Sequence, residues 1–161
     1  MESLGWREKI MVKVDPVHMI DVSNKKVVHR VATASGRVYL KPETVKAIQN
    51  GTIKKGDPLY AAEIASIQAV KKTPDLIPLC HPIPIGAVNT VFNIEQNYIE
   101  AICTVTADYK TGVEMEALTG VSIALLNIWD MTKYLEKDDQ GQYPSAIIKD
   151  IKVIEKRKTP I

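Results

Sequence analysis

Cys80 and His81 stand side by side in the stretch DLIPLCHPIPIG, fenced by Pro78, Pro82 and Pro84. Four kinds of chemistry suit such a pair: a metal site, a nucleophile with its base, a loop that reads a ligand, or a stiff corner of the fold. Zinc needs three or four convergent ligands. The chain offers two cysteines and three histidines with no CxxC or HxxxH spacing, so no metal site is indicated. A Cys-His dyad needs both side chains on one side of the chain. Neighbours in an extended segment point to opposite sides, so a dyad here requires a special turn. The bland alternative is a Cys80 that behaves as a small buried hydrophobe and a His81 satisfied by the backbone. That alternative leaves the prolines unexplained. Each fixes φ and removes a backbone donor, which makes a stiff loop unable to join a central strand. A stiff loop holds a recognition group at low entropic cost, so a preorganised binding loop is favoured.

A second set of reactive types lies in TGVEMEALTGVSIALLNIWDMTKYLEK. At steps of about 100° per residue, Glu116, Gly120, Ile123, Asn127 and Asp130 share one narrow helix face, with Lys133 one turn past Asp130. Glu114 opens the same segment. Asp130 and Lys133 make either a surface ion pair of little worth or, in a pocket, an acid/base pair in which each perturbs the other's proton affinity. Arg30, Lys54, Lys55, Lys133 and Lys149 fall at the ends of predicted elements. Scattered, they are solvated surface charges. Gathered, they form an anion site, because guanidinium and ammonium groups bind phosphate oxygens and stabilise a leaving phosphate. No Walker or GxGxxG pattern is present, so a standard glycine loop for nucleotides is not indicated.

The elements that must position these residues follow from periodicity and punctuation. VVHRVATASGRVYL, residues 27–40, has the β-branched and aromatic content of a strand. KPETVKAIQNG reads as a short helix opened by Pro42 and stopped at Asn50-Gly51. Asp57 caps and Pro58 opens the helix LYAAEIASIQAVKK, which Thr73-Pro74 ends. AVNTVFNIEQ and YIEAICTVTAD form a hairpin turned at Gln96-Asn97. The long helix takes Thr111 as its cap, in a Thr-to-Glu spacing that resembles a capping box. PSAIIKDIKVIEKRK supplies a last strand with a charged tail. The order strand, helices, strand, strand, helix, strand is the βαββαβ pattern of ferredoxin-like folds. An α+β sandwich with helices on one face of an antiparallel sheet is therefore predicted.

Length and charge set the outer bounds. A chain of 161 residues with 45% hydrophobic content is predicted to form a single domain over 1–161, with residues 1–17 loose and 156–161 frayed. The net charge of +2 does not announce a nucleic-acid or membrane partner. Apolar runs such as VSIALLNIW fall short of the roughly 20 residues of a membrane span, and the opening residues contain no apolar signal core. A cytoplasmic protein with reduced thiols is expected.

Long motifs then carry a resemblance: HMIDVS (18–23), KKGD (54–57), IASIQAVKKTPDLIPLCHPIP (64–84) and KTGVEMEALTGVSIALLNIWDMTK (110–133). From about His18 to Lys149 the chain resembles the cyclic pyranopterin monophosphate synthase family of molybdenum cofactor biosynthesis. The resemblance implies a lyase acting on the cyclised dihydroguanosine triphosphate made by an upstream radical enzyme. Such a lyase rearranges that substrate to the pyranopterin, closes a cyclic phosphate and releases pyrophosphate. It also implies a homohexamer, a trimer of dimers with active sites at the dimer interface. The family's substrate loop matches Leu79, Cys80 and His81, and its Met-Glu pair matches Met115 and Glu116 beside Glu114. Its catalytic aspartate matches Asp130, with Lys133 as partner. Its further basic residues match Lys55, Lys149 and Arg30, and its HMxDVS segment matches His18 and Asp21. Leu40 stands where many members have Met, and Ile20 where the commoner form has Val. No cofactor is required, and a divalent cation travelling with the triphosphate is chemically compatible. Two rivals use the same fold: a non-catalytic module that binds a small molecule or nucleotide, and an RNA-binding module. The latter needs exposed aromatics on its strands, and Phe92 is the sole phenylalanine.

Overall fold

The computed structural model describes residues 16–161. Residues 1–15 of the segment expected to be loose lie outside the described residues, and Pro16 and Val17 carry no regular secondary structure. The elements are β1 (Val28–Tyr39), α1 (Pro42–Gln49), α2 (Pro58–Lys71), α3 (Thr73–Leu76), β2 (Ala87–Ile94), β3 (Tyr98–Tyr109), α4 (Glu114–Glu136) and β4 (Ile147–Thr159). The strands form one sheet in the order β2-β3-β1-β4, antiparallel at every pairing. β3 sits between β1 and β2, the split crossover of the ferredoxin-like pattern. No helix among the described residues is long and apolar enough to cross a membrane.

Local chemistry accounts for most of the boundaries. Asp57 Oδ1 accepts the backbone N–H groups of Leu59 at 2.9 Å and Tyr60 at 3.2 Å, satisfying donors at the start of α2 that have no partner within the helix. Asn50 ends α1, followed by Gly51 at a φ of 67°, a left-handed conformation that glycine adopts without Cβ strain. Glu95 donates its N–H to the Tyr98 carbonyl at 2.9 Å, which closes the β2–β3 hairpin around Gln96-Asn97 as expected.

Two expectations are corrected. The N-cap of α4 is Val113, with no side-chain cap; Thr111 instead lines a cavity. The helix α2 ends ahead of Thr73-Pro74 as expected, and the short α3 follows at once, with Thr73 Oγ1 donating back to the carbonyls of Ala69 and Val70 at 3.2 and 3.0 Å. The tail over 156–161 is not frayed throughout, because β4 runs to Thr159 and pairs with β1 up to His29↔Thr159. Its side chains are exposed and charged, so their pattern carries no trace of the backbone pairing that holds them.

The core lies between the sheet and α2 with α4. Ala32, Ala34 and Val38 of β1 and Ile99, Ala101, Cys103, Val105 and Ala107 of β3 are buried, as strand alternation requires of one face. Val121, Leu125 and Ile128 of α4 cover them, and each such side chain contributes about 1.5–3 kcal/mol when fully buried. Close approach depends on missing side chains. A Cβ on Gly120 would come within 2.8 Å of Cys103 Sγ and 2.9 Å of Ser66 Oγ, and one on Gly36 within 2.9 Å of Leu125 and Val121. Small residues on β1, β3 and α4 thus let one long helix lie against the sheet, with polar groups at both of its ends.

Candidate active site

At the N-terminal end of α4 a cavity of about 380 Å³ is lined by Leu79, Cys80 and His81 from the proline loop, Met115 and Glu116 from the helix, and His18. The loop turns where Cys80 donates its N–H to the Ile77 carbonyl at 3.0 Å. This is the special turn that brings neighbouring side chains to one cavity. His81 Nε2 lies 2.8 Å from the carbonyl oxygen of Ile20. A carbonyl only accepts, so Nε2 carries the proton and Nδ1 is the acceptor of the neutral ring. The contact also fixes the 18–23 segment over the loop. Lys110 adds a second tie, its Nζ donating to the Ser23 carbonyl at 2.8 Å.

The carboxylates here are set apart by their surroundings. Glu116 is 2% exposed, and its Oε2 has no hydrogen-bond partner. Burial pushes its pKa up, and the neighbouring Glu114 charge adds to that. Burial acts the same way on Glu114, but the ammonium of Lys156, paired with Glu114 Oε1, together with the residue's own backbone N–H and the Arg30 charge, outweighs it and holds that carboxyl below its ordinary value. The Cys80 thiol is pushed up by burial and by Glu116. It is therefore a thiol at neutral pH and a poor nucleophile, which speaks against the Cys-His dyad. Arg30 donates to the carbonyls of Tyr109 at 3.3 Å and Lys110 at 3.2 Å, shaping the turn into α4. The Ser23 side chain first, and the Ser23 N–H that Asp21 Oδ1 accepts at 2.8 Å second, hold the Asp21 pKa down; Asp21 lines a neighbouring cavity that also reaches His81 and Lys110.

A second cluster forms near the C-terminal end of α4. Asp130 Oδ1 meets Lys133 Nζ at 2.8 Å, and Oδ2 meets Lys55 Nζ at 2.9 Å. Lys55 comes from the turn before α2 and also donates to the Asp130 carbonyl at 3.3 Å. The Lys133 contact first, and Lys55 second, lower the Asp130 pKa to about 2, and Asp130 in turn raises that of Lys133. At neutral pH the cluster is one carboxylate between two ammonium groups, each about half exposed.

The structure gathers the predicted residues into two groups rather than one. Leu79, Cys80, His81, Met115, Glu116 and His18 share a cavity, with Glu114, Arg30 and Asp21 on its flanks. Lys55, Asp130 and Lys133 form the second group. Asp130 lies fourteen positions beyond Glu116 on α4, about 21 Å at the helical rise. The shared helix face predicted for them is no single pocket wall, because Glu116 and Gly120 are buried whereas Asp130 is exposed. Lys149 belongs to neither group: its ammonium lies 4.3 Å from the centroid of the Tyr39 ring. Lys110 was not singled out from the sequence, although its place directly before the Thr-Gly-Val-Glu run was a usable signal. Among the described residues, no three of His, Cys, Asp and Glu gather as metal ligands would.

Residues 19–159 match the MoaC family. A protein of Pyrococcus abyssi described as a probable cyclic pyranopterin monophosphate synthase is 59% identical over 143 residues, covering 89% of this chain and 90% of its own length. One of the same description from Thermococcus kodakarensis is 61% identical over 88% of this chain and 91% of its own. A Methanothermobacter thermautotrophicus relative, 53% identical over 88% of this chain and 89% of its own, is described as a probable cyclic pyranopterin monophosphate synthase accessory protein. With its matched residues spanning the proline loop, both ends of α4 and the Lys55 turn, the chain belongs to the MoaC family.

Proposed function

We propose that this chain is a lyase of molybdenum cofactor biosynthesis, converting the cyclised dihydroguanosine triphosphate to cyclic pyranopterin monophosphate and releasing pyrophosphate. The observation that carries the reading is the Asp130 carboxylate held between Lys133 and Lys55 at 2.8 and 2.9 Å. Closing a cyclic phosphate means that a substrate hydroxyl attacks the first phosphorus while pyrophosphate leaves. That step needs a group that accepts a proton and cations that stabilise charge on the leaving oxygens. Asp130, ionised, accepts; Lys133, as an ammonium, donates; Lys55 binds phosphate oxygen. An arriving triphosphate competes with Asp130 for the ammonium groups and frees its lone pairs. At the other end of α4, His81 Nδ1 presents an acceptor and the Glu116 carboxyl, whose raised pKa favours its protonated form, a donor, the pairing that the edge of a purine or pterin ring requires.

The two groups act together when a second copy of the chain supplies one of them. We place the active site between copies, with His81 and Glu116 from one protomer and Asp130, Lys133 and Lys55 from its partner, in the dimers of a hexamer. Arg30 and Lys149 complete the phosphate-binding set from the flanks. An upstream radical enzyme makes the substrate, and the reaction runs in the cytoplasm. No cofactor takes part, and a divalent ion enters only on the triphosphate. Incubating the purified chain with the cyclised triphosphate and following pyrophosphate and pyranopterin by mass spectrometry tests this reading. Release of both in equal amounts supports it; tight binding without release by an assembled oligomer favours a non-catalytic binding role.

A further inference from the structure

Lys55 reaches Asp130 from a turn that has little structure of its own. Ile53 is buried in the core at one end, and Asp57 is tied into the start of α2 at the other. Between them the turn is closed by the Gly56 N–H on the Ile53 carbonyl at 3.1 Å, with Gly56 at a φ of 105°. Two contacts reach from this turn to α4 besides the Lys55 pair itself, and one residue makes both. The Tyr134 hydroxyl accepts the Lys54 backbone N–H at 2.9 Å, and the Lys54 ammonium lies 5.3 Å from the centroid of the Tyr134 ring. The ring is half-buried against the core, so its position is fixed by packing. Tyr134 directly follows Lys133, so one turn of helix carries Asp130, Lys133 and the anchor for the loop that bears Lys55.

We propose that Tyr134 is a positioning residue for the Asp130 cluster: by holding the main chain at Lys54 it sets the reach of the next residue, Lys55, onto Asp130. The role of Lys55 in holding phosphate rests on the function proposed above; the anchoring of the turn does not. A lysine stem has four rotatable carbons and loses much freedom when ordered. Fixing its main chain one residue away removes part of that cost before the substrate arrives, which is preorganisation of the site. The charged groups facing Asp130 are Lys133 on its own helix and Lys55 from the turn, with Tyr143 beside Lys133.

Tyr134→Phe keeps the ring and its packing and deletes the acceptor. Hydrogen exchange at the Lys54 amide is expected to speed up about tenfold, the factor that an ordinary hydrogen bond carries, while amides in the middle of α4 keep their rates. In steady-state kinetics KM for the cyclised triphosphate is expected to rise about fivefold to tenfold with kcat nearly unchanged. A merely structural role would lower the active fraction, and with it kcat, and leave KM alone. In a Lys55→Met background, Tyr134→Phe is expected to add nothing further, since both changes act on one contact. An unchanged Lys54 exchange rate, an unchanged KM, or full additivity in the double variant would overturn the proposal. If the wild-type chain fails to turn over, the functional reading falls and the anchor is still decided: Lys54 exchange and the affinity for inorganic triphosphate must both respond to Tyr134→Phe, and no response in either overturns it.

Discussion

Asp130 and Glu116 are carboxyl groups on one helix with opposite surroundings. Asp130 is exposed and bracketed by cations, with a pKa of about 2. It is therefore ionised at neutral pH, and no acid limb of the pH–rate profile above about pH 4 belongs to it. Asp130→Asn keeps the shape and removes the charge. Turnover is expected to fall about 10²- to 10⁴-fold, with little change in Tm, because an exposed ion pair adds little to stability; turnover within tenfold of wild type would remove Asp130 from the chemistry. Glu116 is buried with an unpartnered oxygen, and its pKa is raised. For a carboxyl raised on folding, the stability contribution is complete below the unfolded value of 4.5 and is lost as pH rises through the folded one. Glu116→Gln is thus expected to leave Tm unchanged at pH 4 and to raise it by about 2–6 °C at pH 8, measured by calorimetry at the two pH values. An equal Tm difference at both would show that Glu116 does not titrate in this way.

At the scale of elements, α4 organises the fold because it is long and lies close to its neighbours. Gly120 makes that closeness possible against Cys103, Ser66 and Val70. Gly120→Ala is expected to cost about 1–3 kcal/mol, the usual price of overpacking a filled core, read as a lower urea midpoint with an unchanged slope; a neutral result would mean that α2 and α4 separate without penalty. Strands and helices were largely legible in the sequence because periodicity and punctuation agree along most of it. Asp57-Pro58 and Asn50-Gly51 state their roles locally. Thr111 misled because its spacing to Glu114 satisfies a capping box, whereas the chain reaches Val113 before it turns and Glu114 pairs with Lys156 from the distant β4. The end of β4 was misread for a related reason, since the partner that orders it is β1, more than a hundred residues away in the chain. The candidate residues stood out through long contiguous motifs, and this much was legible. Their grouping was not: helical projection puts Glu116 and Asp130 on one face but takes no account of the distance along the axis or of how the helix sinks into the core at one end.

For the molecule as a whole, the separation of the two groups is the feature that most constrains mechanism. A substrate spanning about 21 Å along one helix would be longer than a nucleoside triphosphate needs to be, and the proposed site between two protomers, each contributing the opposite end of α4, would resolve that geometry. A symmetric dimer then presents two equivalent sites. The most direct measurement is subunit complementation: His81→Ala and Asp130→Asn chains, each inactive alone, are mixed after mild dissociation, reassociated, and assayed for pyrophosphate release from the cyclised triphosphate. If each site takes His81 from one protomer and Asp130 from the other, random pairing leaves one intact site in half of the dimers, and activity should return to about one quarter of wild type. Mixed oligomers that form but remain as inactive as either parent would contradict a site built between copies.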